Sequence, residues 1–257
     1  MNPPHLLILG SSSGLASAHR ASSSYLLDLD TQGIMIDCGD GATRNFLAAG
    51  YRAEWVSEIV VSHTHADHIC GLPYFVQQRH LAKSSKPLTI YCAPEGIDAL
   101  KNLLVLGHLY PEWLPFDIRW VPITPRTPWD TCGIQLTAFP TSHLSRQRIF
   151  APEHGYPDPG DCYAFHVDIN GRSLVYSSDL GSLNDLNSVP QPIDWLLIET
   201  THVPLDELWP WAETHRVKRI ILTHLSDEFD EAQIALAGKF PSISAVVAHD
   251  LMLIELS

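Results

Sequence analysis

The sequence predicts an α/β (α+β) fold built as one domain from two similar halves, about 1–123 and 131–257, and three observations predict it. Short apolar runs alternate with helical patterns, and the whole alternation runs through twice. Between the two passes lies Thr124 to Asp130, where Pro125 and Pro128 interrupt any regular element and mark the joint. The densest chemistry of the chain, His63 to His68, leaves the end of an apolar strand rather than a variable loop.

In the first pass His5–Leu9, Tyr25–Leu29 and Gly33–Ile36 read as strands, followed by a helix over Gly41–Ala49 that Gly50 closes. Glu58–Ser62 has the composition of a buried strand. Leu72–Ala82 reads as a helix, Leu88–Tyr91 as a strand, Pro94–Leu106 as a helix and Ile118–Pro122 as a strand. In the second pass Gly133–Phe139, Tyr163–Ile169 and Ser173–Tyr176 are strands, the last two joined by Asn170-Gly171, a two-residue hairpin signal. Ile193–Ile198 and Arg219–Leu222 follow as buried strands with a helix from Pro204 to His215 between them. A helix over Asp227–Lys239, with Asp227 as its N-cap, and strands at Ser244–Val247 and Met252–Leu256 close the chain.

Composition narrows the function. With 257 residues, 45% of them hydrophobic, the chain has ample core. Its net charge of −13 repels long polyanions and counts against a nucleic-acid partner held through phosphates. Five scattered cysteines, with no Cys-x-x-Cys pair, read as reduced thiols of a cytoplasmic protein. The N-terminus lacks the pattern of a signal peptide, and no run reaches the ~20 apolar residues of a membrane span.

His63, His65, Asp67 and His68 are four metal-competent side chains within six residues, spaced so that His63/His65 and Asp67/His68 face two neighbouring ions. Imidazole and carboxylate suit zinc, then manganese or iron, whereas calcium and magnesium want oxygen. Two ions need more ligands than four, and His143, Asp179 and His224 each follow a predicted strand. Asp37 and Asp40, in a glycine-rich turn, could accept from the far nitrogens of ligand histidines, or merely cap that turn. Hydroxide generated at such ions attacks a phosphoryl or acyl centre, and a departing alkoxide then wants a proton donor. His202, in Glu199-Thr200-Thr201-His202 after the strand Ile193–Ile198, is the candidate for that general acid. The Gly10–Gly14 loop could turn the N–H groups of Ser11 to Ser13 toward a phosphate, or be structural, and Ser226 could add a hydroxyl.

The run His63–His68, the Asp37-Cys38-Gly39-Asp40-Gly41 loop, His143, Tyr176-Ser177-Ser178-Asp179 and Leu222-Thr223-His224-Leu225-Ser226 resemble the metallo-β-lactamase superfamily, and within it the phosphodiesterase branch of ribonuclease Z and its short relatives. The resemblance covers nearly the whole chain. It implies a four-layer αββα sandwich of two similar halves and two divalent ions, with zinc first among candidates. It also implies a ligand set: His63, His65 and His143 on one ion, Asp67, His68 and His224 on the other, and Asp179 between them. Asp67 thereby counts as both ligand and catalytic residue. His202 matches a histidine thought to aid catalysis in the phosphoribosyl cyclic-phosphate phosphodiesterases. Relatives of this kind are often dimers, which implies a homodimer.

Two departures shape the expected substrate. Ribonuclease Z carries a long arm between its third metal histidine and the bridging aspartate; here only the loop Leu144–Asp161 intervenes, and the Gly-His-Ser-Thr element is missing. The cysteine zinc site of the cyclic-phosphate phosphodiesterases is missing too. The expectation is a dinuclear phosphodiesterase for a small-molecule substrate, cyclic phosphodiesters included. A lactone or thioester hydrolase on the same site and a ribonuclease Z-like endonuclease are the alternatives, ahead of a non-catalytic metal-binding protein. The Leu144–Asp161 loop is either a lid, with Arg146 and Arg148 on a phosphate and Phe150 and Tyr156 on a base or sugar, or a packing loop.

Overall fold

The computed structural model describes residues 3–229 and 238–257. The chain forms two compact units, Met1–Ile123 with His249–Ser257, and Thr124–Ala248. Each is a seven-stranded mixed sheet with its own helices and core, the α/β class that the alternating pattern predicts.

In the first unit β1 (His5–Gly10), β2 (Ser24–Asp28) and β3 (Gly33–Ile36) pair antiparallel. After α1 (Ala42–Ala48), the sheet continues in parallel through β4 (Val56–Val60), β5 (Leu88–Cys92) and β6 (Ile118–Pro122). The connections carry the single-turn α2 (Ala66–Ile69), α3 (Leu72–Leu81) and α4 (Ile97–Leu106). Gly50, at φ 88°, ends the α1 segment where an L side chain would be strained. The core joins Leu7, Leu9, Met35 and Ile59 to Phe46 and Phe75.

The second unit repeats the plan. A short β7 (Trp129–Thr131), then β8 (Ile134–Thr141), β9 (Cys162–Ile169) and β10 (Arg172–Tyr176) are antiparallel, with α5 (Ser145–Glu153) between β8 and β9. β11 (Ile193–Glu199), α6 (Leu205–Thr214), β12 (Val217–Thr223) and β13 (Ser244–Val247) continue in parallel. Asn170 and Gly171, at φ 55° and 80°, make the predicted two-residue turn from β9 to β10.

Three findings differ from the sequence expectation, and a fourth element cannot be compared with it. The last strand, β14 (Leu253–Glu255), pairs antiparallel with β1, so the C-terminus completes the first sheet and not the second. β7 overlaps the end of the predicted joint and escapes the sequence reading, because a three-residue edge strand beside Pro128 is too short to display alternation. α5 occupies what reads as a loop, because it buries no side chain and so carries no apolar stripe. The predicted Asp227–Lys239 helix falls largely on 230–237, outside the described residues.

Candidate metal centre

In the first unit the buried strand β4 runs on through Val61 and Ser62 and delivers His63, almost fully buried, at its end. His65 is the N-cap of α2, and that single turn returns Asp67 and His68 toward the strand. The His63 ring lies 4.7 Å from His65 and 4.1 Å from His68, centroid to centroid. His68 Nε2 stands 3.3 Å from Asp67 Oδ2. Donors bonded to one tetrahedral ion at ~2.0–2.2 Å lie about 3.3–3.6 Å apart, so this spacing suits two ligands on one ion.

The fully buried Asp37, just beyond β3, organises this group. Its carboxylate accepts from Ser62 N–H at 2.7 Å, Ser62 Oγ at 2.8 Å and His68 Nδ1 at 2.8 Å. Since the Ser62 hydroxyl donates to Asp37, it accepts from His63 Nδ1 at 3.1 Å. One carboxylate therefore fixes two histidine tautomers, leaving Nε2 of each for a metal. Asp37 sits at φ 57°, a strained conformation typical of functional turns. The glycines beside it let the turn press against α2: a Cβ on Gly39 would stand 2.2 Å from the Asp67 carbonyl, and one on Gly71 would stand 2.1 Å from the Gly39 carbonyl.

In the second unit His143, Asp179 and His224 follow β8, β10 and β12. Asp179 Oδ2 lies 3.4 Å from His143 Nε2, and Asp179 Oδ1 lies 3.6 Å from His224 Nε2. Each carboxylate oxygen thus faces a different histidine at the separation of two ligands on one ion. Thr201 Oγ1 donates to the His224 carbonyl at 3.0 Å and so accepts from His224 Nδ1 at 3.0 Å, again leaving Nε2 for a metal. Ser178 and His224 both adopt positive φ, 51° and 55°. The donor set of each unit, imidazoles with a carboxylate, fits divalent transition ions.

His202 reaches the same group: its ring lies 4.9 Å from His143 and 6.2 Å from His224, and its side chain is 37% exposed. Its Nδ1 lies 3.1 Å from Oε1 of the buried Glu199, which also accepts from the N–H groups of Leu180, Thr201 and His202. Glu199 escaped the sequence reading as a functional residue, as did Ser62 and Thr201. The available signal was a carboxylate ending a strand, Ile193–Glu199, whose every residue is buried.

Several candidates lie elsewhere in chemical terms. Asp40 is exposed and contacts no ligand histidine; its carbonyl accepts from Ser22 N–H. The N–H groups of Ser11 and Ser12 are taken by Asp250 and by the Ala21 carbonyl, so neither is turned toward a phosphate. Arg148 is committed to Asp158 and Asp161, and Phe150 stacks on His154 at 3.9 Å; Arg146 and Tyr156 are exposed. No described helix is long and apolar enough to cross a membrane.

Comparison with known proteins places these features in a family. The family profile "Anti-Pycsar protein Apyc1" matches residues 4–243. A ribonuclease Z from Methanosarcina mazei is 25% identical over 302 aligned positions, covering 97% of each chain. Those positions exceed the 257 residues here, so the relative carries segments with no counterpart in this chain. The metallo-β-lactamase fold protein YhfI from Bacillus subtilis superposes with TM-score 0.78 at 20% identity, covering 99% of this chain and 100% of its own. A diphosphatase from the PhnP family gives 0.72 at 18% identity, covering 99% and 98%. The fold expected from the resemblance, that of the metallo-β-lactamases, is therefore the fold of this chain.

Proposed function

We propose that this chain, which belongs to the family of the anti-Pycsar protein Apyc1, hydrolyses a small phosphodiester, cyclic ones included, with two metal ions. The metal-dependent hydrolase chemistry is common to its relatives. In this reading His63, His65 and His143 hold one ion, Asp67, His68 and His224 hold the other, and Asp179 bridges them. Zinc is the expected metal, with manganese or iron as alternatives. Bound ions would neutralise charge on phosphoryl oxygens and make hydroxide available near neutral pH.

The single observation that carries the reading is the split environment of Asp179, one oxygen toward His143 and the other toward His224. That is what a carboxylate needs in order to serve two ions. The remaining chemistry belongs to His202. Glu199 holds its Nδ1, so Nε2 is the atom that delivers a proton to the departing alkoxide. Glu199 acts through His202 and is a positioning residue. Asp37 and Thr201 keep the ligand imidazoles in the tautomers that bind metal.

A small substrate is favoured by the net charge of −13 and by the short interval between His143 and Asp179, where α5 and its flanking loop are all that joins β8 to the hairpin of β9 and β10. The ribonuclease Z relatives favour a second reading, an RNA endonuclease. Five cysteines outside any disulfide, three of them buried, support a reducing compartment such as the cytoplasm.

A side-by-side assay decides: bis-p-nitrophenyl phosphate, a cyclic phosphodiester, a lactone and a transfer RNA precursor, at low and physiological salt. The expected outcome is turnover of the two phosphodiesters, abolished by chelation and restored by zinc or manganese. Efficient 3′-end processing of the precursor at physiological salt would establish the endonuclease reading instead, and turnover confined to the lactone would overturn both.

A further inference from the structure

A polar cavity of about 440 Å³ lies wholly within the first unit, walled by the loop leading to Ala21, the start of α1 and the start of α3. Its size is that of a small-molecule pocket. Arg20, Arg44 and His19 line it, with Asp40 the sole carboxylate, and Thr43 and Tyr74 complete the wall. None of the proposed metal ligands does. In a chain with 16 basic against 29 acidic residues, two guanidiniums and an imidazole facing one carboxylate is a concentration of positive charge that runs against the composition.

The cations differ in how they are held. Arg20 Nη1 donates to Ser11 Oγ at 2.8 Å, and Ser11 Oγ donates to Asp250 at 2.9 Å, so this guanidinium is pinned in place. Arg44 is exposed, makes no ion pair among the described residues, and reaches only Asn45 Oδ1 at 3.4 Å. Thr43 supplies an independent observation. It is 2% exposed, yet its Oγ1 has no hydrogen-bond partner among the described residues. A buried hydroxyl without a partner is destabilising, and a turn of the Thr43 side chain that carries Oγ1 from its shielded position to a ligand oxygen in the cavity it lines would remove that cost.

We propose that this cavity binds a phosphoryl anion. Two guanidiniums offer forked N–H donors to a tetrahedral dianion, and the Thr43 hydroxyl adds a neutral one. The cavity exceeds what phosphate alone fills, leaving room beside Tyr74 for the organic part of a phosphomonoester. The site is separate from the hydrolytic centre and does not depend on what that centre cleaves.

Equilibrium dialysis of labelled inorganic phosphate against the metal-loaded protein tests the assignment. Arg44→Glu is expected to bind one phosphate per chain fewer than the wild type at saturation, with metal content unchanged, while Arg44→Lys keeps the site. Thr43→Val is expected to weaken that site about 10-fold, as loss of a hydrogen bond to a charged group does, and to raise the melting temperature without phosphate. A phosphate count that Arg44→Glu leaves unchanged overturns the proposal, as does a Thr43→Val protein that binds phosphate as the wild type does.

Discussion

The two halves make the same backbone joint and put different chemistry on it. After β3, Asp37 N–H donates to the Val60 carbonyl at 2.9 Å, and the Asp37 side chain accepts from Ser62 N–H two residues further along β4's course. After β10, Ser177 N–H donates to the Leu197 carbonyl at 2.9 Å, and Ser177 Oγ accepts from Glu199 N–H, again two residues on. Asp37 therefore corresponds to Ser177 and Ser62 to Glu199. The carboxylate has changed strands. In the first half it sits on the turn and orients His63 and His68; in the second it sits at the strand end and orients His202. Counting three residues on, His202 corresponds to His65. In the proposed reading this repeated scaffold carries a metal ligand, His65, in one half and a proton donor, His202, in the other, and only His202 has the carboxylate three residues before it.

Asp179 is the sharpest break in the correspondence: its two oxygens each face the Nε2 of a different histidine, whereas Asp37 meets His68 at Nδ1 and His63 through Ser62. Asp179→Ala should lose both ions and reduce kcat/KM by well over the ~100-fold typical of outer-sphere partners, exceeding the effect of removing any single terminal histidine. Metal analysis alongside kinetics measures it. Near-wild-type activity at saturating metal would show that Asp179 bridges nothing.

The next largest effect should fall on His202. His202→Ala is expected to cost ~10²–10⁴-fold on an alkyl phosphodiester and little on a p-nitrophenyl ester, whose leaving group needs no proton. Metal content should be unchanged. Glu199→Gln should follow the same leaving-group pattern with a smaller loss and an altered pH profile. If both substrates suffer equally, His202 is structural or a ligand instead; if metal is lost as well, it is a ligand as proposed for its counterpart His65.

Much of this was legible in the sequence, for physical reasons that vary from residue to residue. Buried strands such as Leu6–Leu9 and Trp195–Ile198 announce themselves by unbroken apolar runs, and the proposed ligands stand out by following such strands. Asp37 in its glycine-rich turn reads either as a partner of histidines or as a turn cap, and its hydrogen bond to His68 decides for the first. Asp40, one glycine away, looks identical in sequence, and only the path of the turn separates a buried carboxylate from an exposed one. The pairing of β14 with β1 is a contact between chain ends, and no local pattern encodes it. Glu199 was hidden because its partner lies across a turn whose geometry depends on Ser177, a residue 22 positions earlier.

The comparison predicts a third, smaller contrast between the two joints. Asp37→Asn should weaken metal affinity about 10–100-fold, since the amide cannot accept from all three of its donors. Ser177→Ala, at the matching position, should cost about 1 kcal/mol of stability and leave metal affinity alone. Titration of apoprotein with zinc against a competing chelator reads both. Equal losses of affinity would mean that the second joint also supports ligands and that the division of labour between halves is wrong.

The smallest expected effect concerns acid stability. Asp194 in β11 corresponds to Ser57 in β4, so only the second half places an ionisable group at this register. Burial pushes the Asp194 carboxyl up, but Lys218 Nζ at 2.6 Å and Ser173 N–H at 2.9 Å more than offset this, and the net shift is downward. A carboxyl whose folded value lies below its unfolded one stabilises the fold above the unfolded value of about 3.9, and that contribution is lost as pH falls through the folded value. Because Lys218 is largely exposed, the pair should contribute no more than ~1 kcal/mol. Asp194→Asn should accordingly lower stability slightly at pH 7 and flatten the decline of denaturation midpoint between about pH 5 and pH 3. A variant whose acid limb matches that of the wild type would mean that Asp194 behaves as an ordinary surface carboxylate and that the halves do not differ at this register.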